Sequence, residues 1–575
     1  MASLSLEIGG VMQKFVALTI AFLGAACLTI IATTPPRPVH VDAPEEVFSA
    51  ARAMDDVAII AAAPHPTGSK ANDKVREYLM QRLIGMGLEV RADAAALSPQ
   101  AASRLNIWRG SAVPAPQLVN IIGVLPGKDR SKPALALMAH YDSVWASPGA
   151  SDDAAGVAAI LEALRALKTG GPPERDVVAI ITDAEELGLE GAAHFFATHP
   201  LREKIGTIIN LEARGGGGRA TMFQTAHDNG GAMRVYQDSV SRPATSSLAA
   251  FIYQILPNDT DLTPALEGAY TAYNFAFIGR PGLYHSPLIT PAQLDQGSLQ
   301  DMGDQVLGLT KALARADELP GKSADLVFFD VFGWFTIAYA PLLGWVMLAI
   351  GGLAYGGAVW GRFDGRASLR GMGRALAIIL ISAGLLYLGN LVSGADGPVH
   401  YYDRLAAIPR LEWMAALTSV AVLIFILRRG GGAVSDWAGF AAPLFLLALA
   451  GQIIAPTAAY FIVIPVMLGG LSTFAAARWA NMGSQLVCVV AAMIVLGYMG
   501  ALGHQIMQGV GAGMPMAAAL PLALGALVLL PLWPAIRGRS AIIASAALLI
   551  FMTGIALWVR LDPTAETAAA FGRFT

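Results

Sequence analysis

Residues 177–188 read Val177-Val178-Ala179-Ile180-Ile181-Thr182-Asp183-Ala184-Glu185-Glu186-Leu187-Gly188. A short β-rich apolar run closed by turn residues reads as a buried strand. The adjacent carboxylates at its end suit two separate jobs, one glutamate binding a metal while its neighbour acts on water. Three runs of the same kind lie at 120–124, 134–139 and 207–211, and helical periodicity marks 72–86 and 156–167. Strands interleaved with helices predict an α/β domain, a mostly parallel sheet with helices on both faces. In such sheets ligands sit beyond the carboxyl ends of the strands. The residues with chemistry to offer fall there.

Outward from this stretch, the run at 134–139 is followed by His140-Tyr141-Asp142-Ser143. His140 is a candidate metal ligand, and Asp142 is suited to take the other ring N–H, fix the tautomer and raise the ligand's basicity. Gly149-Ala150-Ser151-Asp152-Asp153-Ala154-Ala155-Gly156 opens a helix, where either aspartate alone reads as an N-cap. The run at 207–211 leads into Glu212-Ala213-Arg214 before four glycines, and Tyr284-His285-Ser286 lies in a loop flanked by turn residues. Each item has a bland reading as a solvated turn, an exposed acid pair or a surface histidine. Their occurrence together in one domain is what points to a site. His194, His199 and His227 lie in a helical run, in a turn and after a strand-like stretch, and are not assigned to it.

With these residues in this order, the chain resembles metallopeptidase family twenty-eight, the dizinc exopeptidases, over roughly 64–313, including His65-Pro66-Thr67-Gly68-Ser69. The resemblance implies the dizinc exopeptidase fold and two zinc ions. It implies that His140 and Glu212 bind one ion, Glu186 and His285 the other, that Asp152 bridges them, and that Glu185 is the general base. Asp152 takes the bridge rather than Asp153 because it stands four residues before Gly156, as in the family motif; Ala154-Ala155 departs from the polar residues common there. A longer similarity, to the endoplasmic-reticulum metallopeptidases and their vacuolar relatives, rests on an N-terminal anchor, on Asn258-Asp259-Thr260-Asp261 and on trailing membrane spans. The implied activity is an aminopeptidase with a peptide substrate. A carboxypeptidase or glutaminyl-cyclase-like activity is the alternative on the same fold, and a catalytically inactive peptidase-like receptor or transporter domain is the alternative from another class.

The whole chain is greasier than a soluble enzyme: 55% of its 575 residues are hydrophobic and 14% charged. With a formal charge of -3 and no dense Lys/Arg run, nucleic acid is excluded as a partner. Cys27 and Cys488, its two cysteines, both lie in apolar stretches, so a metal must be held by His and carboxylates. Apolar stretches approaching the about 20 residues of a bilayer span occur at 15–33 and then at 333–355, 374–391, 412–427, 437–454, 459–477, 484–504, 514–532 and 541–559. The first reads as a retained anchor, because its apolar run continues past Ala25 and Ala26 to Pro35 and Pro36. Arginines alternate between the loops: Arg362, Arg366, Arg370 and Arg374, then Arg428 and Arg429, Arg478, and Arg537 with Arg539 mark one side, against the sparser Arg404 and Arg410. By the positive-inside rule this predicts nine spans with the N-terminus in the cytoplasm, and the domain at 41–320 with the C-terminal tail on the other face. The expected organisation is thus an anchor at 1–40, a zinc peptidase domain at 41–320 and an all-α polytopic membrane domain at 321–575, with His504 near a span end read as interfacial.

Overall fold

The computed structural model describes residues 2–112, 114–397, 401–479, 481–536 and 539–561; Arg537 and the tail after 561 lie outside them. The chain divides into two compact units. One runs from Thr34 to Ala338, and the other joins the helix before Thr34 to the residues from Tyr339 onward.

The first unit is built on a seven-stranded sheet of β1 (Glu89–Ala96), β2 (Gln117–Leu125), β3 (Ala134–His140), β4 (Val177–Thr182), β5 (Ile205–Ala213), β6 (Gly217–Thr225) and β7 (Thr271–Gly279). Their order is β1-β2-β4-β3-β5-β7-β6. The four central strands β4, β3, β5 and β7 are mutually parallel, as expected, and antiparallel pairings at β1–β2, β2–β4 and β6–β7 close both flanks. Every residue of β3 and β4 is buried. Because successive side chains of a strand point to opposite faces, Leu135, Leu137 and Ala139 join one apolar core while Ala134, Ala136 and Met138 join a second. That is why these strands read as continuous apolar runs rather than as alternating ones.

The helix Ala154–Lys168 covers the first of these faces. Its N-cap is Asp153, whose Oδ1 accepts the Gly156 N–H at 3.0 Å. A Cβ on Gly156 would lie 2.4 Å from that carboxylate, so the cap requires glycine there. The helices Ala50–Ile60 and Gln296–Arg315 add their apolar faces to the same core. Residues 333–341 do not begin a span. Val327–Asp330 and Thr336–Tyr339 pair as a short hairpin (β8 and β9) around Gly333, whose φ of +76° favours glycine, and the first helix after it is Leu342–Val359.

In the second unit, eight helices among the described residues are long and apolar enough to cross a membrane: Met12–Thr33, Leu342–Val359, Gly365–Ala395, Ile408–Ile426, Val434–Ile454, Tyr460–Arg478, Met482–Val510 and Ser540–Leu561. Leucines and isoleucines such as Leu353, Leu380, Ile454 and Ile550 are exposed on them, as suits an integral membrane protein. The N-terminal helix packs along Met482–Val510 through glycines, with Leu28 against Gly497 and Thr29 against Gly500, in the small-residue manner of membrane helices. The block expected at 514–532 is not one long helix. A 3-10 turn, Pro515–Ala518, leads into an 11-residue helix, Ala519–Leu529, which at 1.5 Å per residue covers about 16 Å of a core about 30 Å thick. The segment still joins the two ends of the bundle. Gly513 accepts from Asn390 at the end of one helix, and Ala535 bridges to Arg429 beyond the end of its antiparallel neighbour.

Arg370 and Gly397 stand at opposite ends of the helix that begins at Gly365. Reporters fused after each should therefore read opposite sides of the membrane, with Arg370 cytoplasmic by the arginine rule. Phosphatase activity at Arg370 and silence at Gly397 would reverse the orientation, and a common side for both would break the span.

Candidate metal centre

The site is assembled where β3, β4 and β5 end side by side. His140 is the last residue of β3, Glu212 lies near the end of β5, and Glu185 and Glu186 follow β4 by a turn whose Ala184 has a φ of +61°. His285 comes from a distant loop in which its own backbone has a φ of +55°. Left-handed backbone at a non-glycine residue is strained and clusters at functional sites. Of the six such non-glycine residues among those described, two, Ala184 and His285, aim or immediately precede site side chains.

Three groups of possible ligand atoms fall within 4.8 Å of one another: His140 with Asp152 and Glu212, Asp152 with Glu186 and His285, and His140 with Glu185 and Glu186. Asp152 is common to the first two. Its Oδ1 lies 3.2 Å from His140 Nε2 and its Oδ2 lies 3.1 Å from His285 Nε2, so one carboxylate turns one oxygen to each imidazole. Glu186 Oε1 is 3.1 Å from the same nitrogen of His285, and Glu212 Oε2 is 3.9 Å from His140 Nε2. Asp153, joined to Asp152 by a cis peptide bond, is occupied by the helix cap. Of the aspartate pair, capping thus falls to Asp153, and Asp152 is left facing the two imidazoles.

Asp142 holds this arrangement from behind. Its oxygens accept the N–H groups of Glu185 at 3.1 Å and Glu186 at 3.3 Å, and its Oδ1 stands 3.5 Å from His140 Nδ1. His140 Nδ1 is also 3.0 Å from the Asp142 main-chain oxygen, which leaves Nε2 facing Asp152. The Thr67 hydroxyl donates to Asp183 Oδ1 at 3.0 Å and to Asp142 Oδ2 at 3.4 Å, and the His65 N–H donates to Ser143 Oγ. The stretch His65–Ser69, weak as a sequence signal, is therefore a clasp on the carboxylates beneath the site.

Burial dominates the electrostatics. It raises Glu185 and Glu186, and it pushes Glu212 up to about 8 against the opposing His140. Asp152 is the exception, because its contacts with His140 and His285 outweigh burial and hold it at about 2. His140 in turn is raised, since Asp142 and Asp152 overcome the burial that would lower it.

Asp261 is the residue that the sequence reading does not place in the site. It is fully buried, its N–H donates to Glu212 Oε1 at 3.4 Å, Oδ2 accepts from the Thr182 hydroxyl, and Oδ1 has no hydrogen-bond partner among the described residues. Burial pushes it up to about 6. The sequence signal is Asn258-Asp259-Thr260-Asp261, but these residues follow a helix rather than a strand, so the strand-end argument does not reach them. His194 pairs with Asp93, His199 stacks on Phe195 and His227 is exposed, all outside the cluster.

Residues 120–310, which span β2 to the helix Gln296–Arg315, match Peptidase family M28. The chain carries a peptidase family M28 domain. It is 31% identical to endoplasmic reticulum metallopeptidase 1 of Homo sapiens over 312 residues, 52% of this chain and 34% of that protein. It is likewise 31% identical to a vacuolar membrane protease of Eremothecium gossypii, over 49% of this chain and 29% of that protein. The chain thus spans about a third of the length of the curated relatives it matches. Among solved structures it is similar to an aminopeptidase from Aneurinibacillus sp. strain AM-1, at 16% identity and a TM-score of 0.39 over 49% of this chain and 98% of that one. A glutaminyl cyclase from Bacteroides thetaiotaomicron is similar at 21% identity and a TM-score of 0.37, over 46% and 98%.

In this M28 domain Asp142 touches the loop carrying Glu185 and Glu186 as well as the ring of His140. Asp142→Asn keeps its size but loses the charge and one acceptor. Carboxylates behind a metal-ligating histidine are worth about 10- to 100-fold in metal affinity or activity, so zinc titration of the metal-stripped variant should show a weakening of that order. Unchanged affinity would remove Asp142 from the site's support.

Proposed function

We propose that this protein is a membrane-anchored, dizinc exopeptidase that removes N-terminal residues from peptides. The observation that carries the proposal is the carboxylate of Asp152, turned by one oxygen to His140 and by the other to His285. The donor set fits zinc, which takes imidazole nitrogen and carboxylate oxygen, and it supplies two groups that share one aspartate. His140 and Glu212 would hold one ion, Glu186 and His285 the other, with Asp152 between them. Bound zinc supplies Lewis-acid polarisation of the scissile carbonyl and a more acidic water.

The chain's own residues do the rest. Glu185, next to the ligands and not needed as one, takes a proton from the attacking water on its carboxylate and delivers it to the nitrogen of the departing amine. Burial has raised its proton affinity, which suits a group that must hold a proton between two steps. Asp142 keeps Glu185 in register through its N–H.

Charge selects the end of the peptide. The carboxylates of Asp152, Glu185, Glu186 and Glu212 together balance two divalent ions, and Asp261 adds one more buried acid beside Glu212. A site with a surplus acid suits the protonated α-amine of an N-terminus and repels a C-terminal carboxylate. The names of the relatives, a metallopeptidase and a membrane protease, support peptide hydrolysis. The arginine asymmetry supports a position for the domain on the non-cytoplasmic face, in a periplasm or an organelle lumen.

The full chain, purified in detergent, should carry close to two zinc ions by elemental analysis and should cleave amino-acid arylamides with free N-termini but not their N-acetylated forms. Chelation should abolish cleavage and zinc should restore it. Preference for blocked substrates or for peptides cut at a free C-terminus would refute the aminopeptidase assignment, and activity indifferent to chelators would refute the metal.

The adjacent glutamates should fail differently. Glu185→Gln should keep both zinc ions and substrate binding while turnover falls by about 10² to 10⁴. Glu186→Gln should lose zinc from one site. Near-normal turnover of Glu185→Gln with both ions in place would take the base role away from Glu185.

A further inference from the structure

The membrane unit contains a cavity of about 340 Å³ between the helices Ile408–Ile426, Met482–Val510 and Ala519–Leu529, within the range of about 300–1,000 Å³ of small-molecule sites. Its depth is set by the helices. It is lined from Glu412 to Leu423 on one helix and from Leu496 to Met507 on the next, a span of twelve residues in each case, or about 16 Å at 1.5 Å per residue step. The space arises from the sequence, since Gly503 lines it where a larger side chain would fill it. A Cβ added at Gly503 would meet nothing within 4 Å.

The cavity is polar at one end and apolar along its length. Glu412 lies one turn inside the start of its helix, and His504 nearly two turns before the end of its own. His504 Nδ1 is 2.8 Å from Glu412 Oε1, and the Gln508 amide donates to the same oxygen at 2.8 Å. The carboxylate is thereby fixed in place while 24% of its side chain and 40% of that of His504 remain exposed. The guanidinium of Arg410, a near neighbour in sequence, lies instead over the Trp558 ring at 4.1 Å. Leu423, Leu496, Met499 and Leu522 line the cavity away from the pair.

Ionisable side chains within membrane segments are costly and mark functional sites, with a partner that explains them. Here the partner histidine does not cover the carboxylate, and the cavity that leads away from it is apolar. A polar end near the level where a membrane helix meets its interface, with an apolar channel running inward from it, has the shape of a single-chain amphiphile. From the carboxylate at its polar end we infer that this cavity is a binding site for a long-chain amine. The protonated amine compensates Glu412, which an alcohol does less well and a fatty carboxylate opposes, and the alkyl chain fills the space beside Gly503.

The test uses the full chain in a nonionic detergent, with adducts counted by native mass spectrometry. Dodecylamine should bind once per chain. Dodecanoate, dodecanol and butylamine, which lack the charge or the chain, should bind at least about 10-fold more weakly. Glu412→Gln should erase the preference for amine over alcohol. Gly503→Leu, which fills the cavity from one helix, and Ala416→Phe, which fills it from another, should each weaken the amine by a similar factor; either suffices if the other does not fold. Equal binding of amine and carboxylate, an amine adduct that survives the filling substitutions, or no amine adduct on the wild-type chain would each overturn the inference.

Discussion

Carboxylates brought close together in a protein interior repel one another and lose their hydration, at an effective cost of several kcal/mol per ion unless something compensates. The M28 domain is organised around that constraint. Asp152, Glu186 and Glu212 converge on two imidazoles, with Glu185 and Asp261 alongside. Histidine at two corners relieves part of the repulsion, as the low value of Asp152 shows. Where the histidine contact is longer, burial prevails and drives the carboxylate toward protonation, as at Glu212, 3.9 Å from His140 Nε2. A site in which acids are raised by crowding is one that a divalent cation stabilises by displacing protons.

The scaffold answers with rigidity. Three parallel strands deliver His140, the glutamate pair and Glu212 to one edge of the sheet, and their buried apolar faces leave little freedom in where those ends lie. Asp142 then ties the β4 turn to the end of β3 through two main-chain N–H groups. The helix behind needs its own carboxylate, Asp153, so that Asp152 is left for the site.

The membrane unit is fastened near both of its ends by polar groups. At one end Arg404 donates to Ala512, Ser393 and Asn390. At the other, Asp436 takes two bonds from Arg370 and the Ala433 N–H. Apolar side chains gain little by moving from lipid to protein, so close packing and such bonds set which helices meet. The short helix Ala519–Leu529 lies in a segment tied in this way at both ends. Between Gly513, which accepts from Asn390, and Ala535, which bridges to Arg429, the segment runs as a 3-10 turn, an 11-residue helix and a non-helical stretch.

Much of this was legible in the residues. Short unbroken apolar runs such as 134–139 and 177–182, bounded by turn residues, read as strands buried on both faces, and a charged or imidazole side chain at the end of such a run falls at the sheet's carboxyl edge. That argument reached His140, Glu185, Glu186 and Glu212, and the family resemblance supplied the roles of Asp152 and His285. It did not reach Asp261, because a carboxylate in a loop carries no sign of what it will fold against. Nor did it show that 514–532 would be broken, since hydropathy measures solvent preference and not continuity of a helix. Local pattern, solvent preference and chain order are properties of the sequence by itself. Which oxygen of Asp152 faces which histidine, that Asp153 is spent on a helix cap, and that Glu412 meets His504 far along the chain were decided only by the tertiary structure, because such contacts depend on the packing of elements remote in the chain.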